Sequence, residues 1–302
     1  MKLTSFKIDN NLKVGLVSQG KIVDLQATYS LMANADFPSD MLSLLESGDV
    51  GLKKIKRIEK YLEKCREKRE NTSTHTLLYD FNRVEILSPI PRLRKNIICL
   101  GLNYIDHAIE TNSPIPSNPI FFTKPPTSVI GMNDSIVLPK CSNKIDYEVE
   151  LAFVFGRTGR NIKEEDAYDY IAGYTILIDI TARDLQKKHI QWFKGKSLDT
   201  FAPIGPYLVT RDEVVDPHNL DIVMKINGKI MQKSNTKNLI FNIPTIISAI
   251  SMDMTVEAGD IVATGTPAGV GYTRNPPLFL KPGDIVEASI EGIGTLRNTV
   301  TI

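Results

Sequence analysis

The sequence predicts a protein of the α+β class, because strand patterns and helix patterns both recur along its 302 residues. Residues 173–180 form an almost wholly apolar run, which is typical of a buried strand. Residues 220–231 alternate with period two on both sides of Asn227-Gly228, a dipeptide that strongly favours a hairpin turn. Residues 39–70 instead place apolar side chains at the spacing of a helix.

The first 90 residues are predicted to form a small accessory domain. Two short apolar runs around Gln19-Gly20 indicate a hairpin. Ser39 is expected to cap the first helix of the 39–70 segment. The polar side of this segment is dense in Lys, Arg and Glu, which predicts a solvated helix face that carries both signs of charge. Pro89 and Pro91 follow a short apolar run, so we place a domain boundary there, with residues 1–90 before it and 91–302 after it.

A second region of interest follows the boundary. Residues 96–100 predict a buried strand, and a helix starting near Asn103 would bring His107 and Glu110 onto one face. A carboxylate beside an imidazole orients it and raises its basicity, so this pair is a candidate base, although a plain surface pair has the same spacing. The Pro-, Ser- and Asn-rich residues 111–119 predict a loop able to move over a site. Lys124 fits either a site cation or a surface residue.

Carboxylates carry the strongest chemical signal. Residues 146–152 predict a strand in which Glu148 and Glu150 share one face, and Asp179 lies near the end of the buried strand that follows. A lone Glu-x-Glu is often a solvated face, but a buried Asp needs a partner. Glu148, Glu150 and Asp179 together would offer the oxygen ligands that Mg²⁺ or Mn²⁺ prefers.

Further polar groups follow these strands. Arg183 lies four residues after Asp179 and would point back towards the site, where it can pair with a substrate carboxylate. Gly195-Lys196-Ser197 is not a phosphate loop, because position 190, where that motif needs a glycine, is Ile. The Gly-rich turn at residues 264–271 fits either an anion-binding turn or a plain tight turn.

Composition narrows the classes of function. The formal net charge of +1 gives no electrostatic case for nucleic-acid or membrane binding, and no apolar run reaches membrane-spanning length. The N-terminus lacks the apolar core of a signal peptide. The three cysteines are scattered and show no zinc spacing. These features predict a cytoplasmic protein in a reducing compartment.

Several motifs, taken in order over residues 96–302, resemble the fumarylacetoacetate hydrolase superfamily. The matching pieces are Gly101-Leu102-Asn103-Tyr104 with His107 and Glu110, the 146–152 strand, residues 179–186, Gly195-Lys196-Ser197 with Asp199, residues 264–271, Pro282-Gly283-Asp284, and Glu291-Gly292-Ile293-Gly294. The first 90 residues match only loosely, as the variable accessory domain of many members.

The resemblance implies a mainly β fold with some α, a distorted β-roll of mixed sheets, and a homodimer. It implies Mg²⁺ or Mn²⁺ on Glu148, Glu150 and Asp179. Arg183, Gln186, Lys196 and Thr266 would contact the carboxylate and keto oxygens of a small 2-keto acid. His107 and Glu110 would form the lid dyad of the acylpyruvate hydrolase and oxaloacetate decarboxylase branch.

The implied reaction is cleavage of a C–C bond in a 2-keto or 2,4-diketo acid through an enolate that the metal stabilises, with Lys196 adding positive charge beside it. Oxaloacetate decarboxylation is preferred, and acylpyruvate hydrolysis is its companion. An isomerase, hydratase or decarboxylase of an unsaturated dicarboxylic keto acid from aromatic catabolism is an alternative. A binding or scaffold protein whose N-terminal helices contact a protein partner is an alternative of another class.

Overall fold

Strands dominate the architecture. A computed structural model describes residues 1–67 and 78–302. The strands, in chain order, are β1 (Lys2–Ile8), β2 (Asn11–Ser18), β3 (Lys21–Asp24), β4 (Leu78–Asp80), β5 (Glu85–Ile86), β6 (Ile97–Gly101), β7 (Ile120–Lys124), β8 (Val129–Ile130), β9 (Ser135–Val137), β10 (Ile145–Asp146), β11 (Val149–Phe155), β12 (Ile171–Ile178), β13 (Thr181–Ala182), β14 (Ala202–Thr210), β15 (Asp221–Ile226), β16 (Lys229–Asn235), β17 (Ile261–Ala263), β18 (Ile285–Ile290) and β19 (Gly294–Thr301).

The helices are short apart from one. They are α1 (Leu25–Ala33), α2 (Met41–Glu46), α3 (Gly48–Glu67), α4 (Ile105–Glu110), α5 (Arg183–Lys188), α6 (Phe193–Lys196) and α7 (Ile243–Ser251). Residues 68–70 of the predicted 39–70 helical segment lie outside the described residues. The cap of α2 is Asp40, whose carboxylate accepts the N–H of Ser43 at 2.9 Å, so the prediction of Ser39 is wrong by one residue. In the part of the chain that the structure describes, none of the helices combines the length and apolarity that crossing a membrane requires.

The main sheet runs in the order β4-β3-β2-β1-β14-β12-β11-β17-β6-β7, with β5 and β8 attached at its side. Most neighbours are antiparallel, whereas β17–β6 and β14–β8 are parallel, so the sheet is mixed. A second, five-stranded sheet has the order β16-β15-β18-β19-β9. The predicted class, mainly β with some α in mixed sheets, is confirmed.

The central strand β11 is buried on both faces. Leu151 and Phe153 belong to a core shared with the second sheet, where Met224 and Ala288 also lie. Residues between them, such as Ala152, belong to a core shared with the N-terminal helices. The main sheet is therefore sandwiched between the second sheet and α1–α3.

The N-terminal region joins the main sheet directly, because β1 pairs with β14 through Lys2 and Leu3. Leu3 and Ile204 lie in one core cluster with Ile55 and Ile58 of α3. The boundary near residue 90 stays a prediction, and the strands on its two sides form one continuous hydrogen-bonded ladder.

Candidate active site

Three carboxylates meet at the end of the central strands. Asp179 directly follows β12, whose Ile178 pairs with Val149 of β11, and the Asp179 N–H donates to the carbonyl oxygen of Glu148 at 2.8 Å. Glu148, Glu150 and Asp179 are all buried, and each offers one oxygen within 4.8 Å of the others. Buried carboxylates this close need a cation between them. The chemistry of this donor set therefore fits a divalent metal ion.

The local backbone differs from the predicted continuous strand. The chain leaves β10 at Asp146, and β11 begins only at Val149, so Tyr147 and Glu148 lie in a break. Asp146 accepts the N–H groups of Tyr147 and Gly271 at 2.9 and 2.7 Å, which holds this break against the Gly-rich turn. The two glutamates converge because of the break and not because of one regular strand face.

Two buried lysines neutralise Asp179. Its Oδ2 lies 2.6 Å from Nζ of Lys196, and its Oδ1 lies 2.6 Å from Nζ of Lys124. Lys124 is fully buried and also donates to the carbonyl oxygens of Ile180, at 3.1 Å, and Lys196. Of the two roles that the sequence allows for Lys124, a surface residue is therefore wrong, and the lysine is a buried counter-ion behind the carboxylates.

The two glutamates differ in their electrostatics. Burial alone would raise the pKa of Glu148, but the charges of Arg183 and Lys196, at 2.5 Å each, hold that pKa below its ordinary value. Burial together with Asp179 and Glu148 raises the pKa of Glu150 well above its ordinary value. Within residues 1–67 and 78–302, no side-chain nitrogen of Lys, Arg or His lies within 4.0 Å of the Glu150 carboxylate, which accepts the N–H of Gly265 at 2.8 Å. This carboxylate is the one that most lacks a positive partner.

The predicted dyad is formed on helix α4. Nδ1 of His107 lies 3.2 Å from Oε2 of Glu110, and Oε1 of Glu110 accepts the Gly269 N–H and the Thr273 hydroxyl at 2.9 Å each. Burial would raise the pKa of Glu110, but the hydrogen bonds from His107, Gly269 and Thr273 lower it. An ionised Glu110 places the ring proton of His107 on Nδ1, so Nε2 keeps its lone pair.

Arg183 is fixed by three partners. Its Nε donates to Asp146 at 2.8 Å, one terminal nitrogen donates to Glu148 at 2.5 Å, and the other donates to Gln186 at 3.1 Å. Its guanidinium also lies over the ring of Tyr272, 4.3 Å from the centroid. The planar group is therefore held rigidly at the cavity wall.

The hydroxyl of Thr266 is already used within the protein. It donates to the carbonyl oxygen of Val149 at 3.0 Å and accepts from Nε2 of Gln232 at 2.8 Å. Its own N–H donates to no acceptor among the described residues. That N–H is the group at this position which can donate to a ligand.

These groups surround one cavity of about 780 Å³. Its wall includes His107, Glu148, Glu150, Arg183, Gln186, Lys196 and Thr266. Glu110 and Asp179 lie behind that wall, in contact with His107 and Lys196 respectively. The structure thus brings together every side chain that the sequence predicts for the site.

Some groups at the site had no role assigned from the sequence. Asp146 lies in the same short segment as Glu148 and Glu150, and its local sequence does not distinguish it from a third metal-ligating carboxylate. Tyr272 and Gln232 carry no local signal, because their contacts come from segments far apart in sequence. Trp192 packs edge-on against Phe122 at the cavity wall, with ring centroids 5.5 Å apart.

The chain is similar to one protein family over most of its length. Residues 96–301 match the family model described as fumarylacetoacetate (FAA) hydrolase C-terminal. A Bacillus subtilis (strain 168) protein named oxaloacetate tautomerase YisK is 42% identical over 305 residues, covering 99% of this chain and 100% of that protein. The Xenopus laevis protein named oxaloacetate tautomerase fahd2, mitochondrial, is 40% identical over 306 residues, covering 99% and 90%.

Solved structures share the whole fold. A fumarylacetoacetate hydrolase from psychrophilic Exiguobacterium antarcticum superposes with a TM-score of 0.81 at 35% identity, covering 100% of this chain and 99% of that one. The likeness therefore includes the N-terminal region as well as the residues that surround the cavity.

Proposed function

Because the chain belongs to the fumarylacetoacetate hydrolase family of enzymes, we propose that it acts on a 2-keto acid and that its reaction is the interconversion of enol and keto oxaloacetate. The observation that carries this proposal is the lining of one cavity by Glu148, Glu150 and His107, whose ring is oriented by Glu110. The names of the two relatives support oxaloacetate as the substrate and tautomerisation as the reaction.

Glu148, Glu150 and Asp179 would hold the metal ion. We propose Mg²⁺ or Mn²⁺, because an all-carboxylate set suits hard divalent cations. Such an ion, when bound, supplies Lewis acidity that stabilises negative charge on a substrate oxygen. Lys196 lies against two of these carboxylates and would add positive charge on the same side of the cavity.

Arg183, Gln186 and the N–H of Thr266 would bind a substrate carboxylate. Asp146 and Glu148 hold the guanidinium of Arg183 in place, so its position costs no reorganisation when the substrate arrives. Gln186 accepts from Arg183 through its oxygen, which leaves its amide N–H groups free to donate.

His107 would move the proton. With Nδ1 facing Glu110, its Nε2 can accept the O–H proton of the enol and then give a proton to C3, and the keto-to-enol direction runs the same two transfers in reverse. In the enol-to-keto direction the O–H bond at C2 breaks and a C–H bond forms at C3. No water is consumed and no C–C bond breaks, so the atoms balance without another reactant.

C–C cleavage, which the sequence favoured as oxaloacetate decarboxylation, is the second candidate. The same dyad can take a proton from water, as acylpyruvate hydrolysis requires. The cavity of about 780 Å³ also has room for acids longer than oxaloacetate, since it falls in the range of roughly 300–1,000 Å³ typical of pockets for drug-sized ligands. Longer acylpyruvates and unsaturated dicarboxylic keto acids would fit this space.

Product analysis tests these alternatives. Purified protein would receive Mn²⁺ or a chelator and then enol-rich oxaloacetate, with enol loss followed by ultraviolet absorbance and pyruvate by a coupled assay. Acetylpyruvate and a dienoate would be tested in parallel. We expect metal-dependent enol loss that outpaces pyruvate formation. Pyruvate formed as fast as the enol disappears would instead assign decarboxylation.

We also propose that the protein is a homodimer. Strand β7 ends the main sheet, and Ile120 and Phe121 on it are 36% and 40% exposed. The neighbouring Ile190 and Phe193 are 92% and 47% exposed. An apolar sheet edge is a surface that a second copy can cover. Light scattering would test this, with Phe121→Glu expected to yield monomers and Leu12→Glu, on β2, expected to leave the mass unchanged.

A further inference from the structure

Strand β16 of the second sheet contacts two elements that carry cavity-lining residues, through the side chains of Gln232 and Ser234. We propose that β16 is a positioning strand that holds the two halves of the site separately: Gln232 holds the carboxylate strand, and Ser234 holds the helix that carries His107. The inference rests on the proposed function, because it assumes that the carboxylates take a metal ion and that His107 takes part in turnover.

A bulge directs Gln232 inwards. Met224 of β15 pairs with Gln232, whereas the next residue, Lys225, pairs with Ile230, so Met231 is an extra residue in β16. Met231 and Gln232 are consecutive and both buried, which a regular strand with one solvated face does not permit. Bulges re-aim side chains in this way and are frequent beside active sites.

The side chain of Gln232 hydrogen-bonds to the backbone of the carboxylate strand β11 and to the turn beside it. Its Oε1 accepts the Val149 N–H at 3.0 Å, and its Nε2 donates to Thr266 Oγ1 and to the Pro267 carbonyl oxygen at 2.8 Å each. The Thr266 hydroxyl in turn donates to the carbonyl oxygen of Val149 at 3.0 Å. The amide can have only this orientation, because its oxygen faces a donor and its nitrogen faces a carbonyl.

Val149 is the residue between Glu148 and Glu150. On its other side β11 is hydrogen-bonded to β12, which ends one residue before Asp179. The Gln232 amide therefore closes the side of the carboxylate strand that β17 does not reach, since β17 pairs only from Ala152 onwards. Removing it would take the acceptor from the Val149 N–H and loosen the backbone between the two glutamates, and with it their spacing.

Ser234 lies two residues further on and contacts the other half of the site. Its hydroxyl donates to Oδ2 of Asp106 at 2.7 Å, while Oδ1 of Asp106 accepts the His107 N–H at 2.9 Å. Helix α4 has only six residues, and Ile105 and Ile109 on it are 44% and 73% exposed. With little apolar burial, the helix depends on such polar contacts for its position.

Two variants of β16 should therefore have separable effects. Gln232→Met keeps the side-chain volume but loses the hydrogen bonds, and we expect the metal-free protein to bind Mn²⁺ about 10–100-fold more weakly. Ser234→Ala should bind Mn²⁺ within about twofold of wild type, while its kcat/KM should fall about 5–10-fold below the wild-type value, through the loss of one part-buried hydrogen bond.

The matched control is Asn298→Leu. Asn298 is a buried amide of the same sheet that donates to the carbonyl oxygens of Gly131 and Asp134 at 2.8 and 2.9 Å, away from the cavity. Its loss should lower the melting temperature and leave Mn²⁺ affinity and kcat/KM unchanged. If Gln232→Met does not fold, Gln232→Asn, one methylene shorter, serves the same measurement.

The readout is the free Mn²⁺ signal in electron paramagnetic resonance during titration, with no substrate present. Equal Mn²⁺ affinity in wild type and in the Gln232 variant would overturn this inference and leave the proposed function standing. So would a Ser234→Ala protein with wild-type kcat/KM, or an Asn298→Leu protein whose Mn²⁺ affinity falls as far as that of the Gln232 variant. A wild-type protein that does not bind Mn²⁺ would reject the proposed function and this inference together.

Discussion

Nζ of Lys124 lies 2.6 Å from Oδ1 of Asp179, and both side chains are fully buried. Asp179 is shared between this lysine and Lys196, so the innermost carboxylate of the site carries its own counter-ions. Burial lowers the pKa of Lys124, and the charge of Asp179 opposes that change. The pair joins the edge strand β7 to the end of β12.

Lys124→Met should destabilise the metal-free protein strongly. The substitution removes one of the two lysines that neutralise the buried carboxylate of Asp179, which costs about 3–5 kcal/mol of unfolding free energy. Urea denaturation would measure this loss. Lys95→Met is the matched control, because Lys95 is 40% exposed beside Asp260 and such a pair contributes at most about 1 kcal/mol. Equal losses in the two variants would contradict the account.

Glu110→Gln should slow turnover without abolishing folding. The amide cannot stabilise the charged ring of His107 as a carboxylate does, and it changes the tautomer that the ring prefers. We expect kcat to fall about 100-fold, the lower range for loss of general acid–base catalysis. Glu165→Gln, at a 73% exposed side chain, should leave kcat unchanged. A Glu110→Gln enzyme with wild-type kcat would remove the dyad from the mechanism.

Arg183→Lys should weaken substrate binding. A lysine cannot contact Asp146 and Glu148 while also lying flat over Tyr272, as the guanidinium does. We expect KM for the 2-keto acid to rise at least about tenfold, the loss of one charge-assisted hydrogen bond of roughly 1.5–3 kcal/mol. Arg160→Lys on the surface is the control. An unchanged KM would exclude Arg183 from carboxylate binding.

His218 should make the stability of the protein depend on pH. Its Nε2 accepts the Ile243 N–H at 3.0 Å, and burial lowers the pKa of the ring. Protonation would abolish that acceptor. Because the folded pKa lies below the unfolded value of about 6.5, this contribution is complete above that value and is lost as pH falls through the folded pKa.

Urea unfolding at pH 7.5 and pH 5.0 would measure this effect in wild type and in His218→Gln, whose amide oxygen can still accept. The difference in unfolding free energy between pH 7.5 and pH 5.0 should be smaller in the variant. A pH dependence that is the same in both proteins would show that His218 does not titrate in this range.

Much of the site follows from local sequence, because its parts are short and contiguous. The apolar run before Asp179 predicts the buried strand, and the spacing of His107 and Glu110 predicts their contact. The fold class and the hairpin at Asn227-Gly228 are also predicted correctly. These features depend on periodicity and turn chemistry, which act over a few residues.

Other features depend on long-range packing. The break at Tyr147 arises because Asp146 binds the N–H of Gly271, 125 positions away in the chain. The role of Lys124 depends on Asp179, and that of Gln232 depends on its contacts with Val149 and Thr266. No window of local sequence contains both partners of any of these contacts, so periodicity cannot predict them.

The role of the carboxylates as the centre of the reaction is tested most directly by the rate of enol oxaloacetate loss with Mn²⁺, compared between wild type and the Glu148→Ala, Glu150→Ala double variant. We expect fast, chelator-sensitive loss of the enol in wild type, and a rate in the folded variant that equals the rate with free Mn²⁺ alone. A variant that retains wild-type activity would contradict the assignment of these carboxylates as the centre of the reaction.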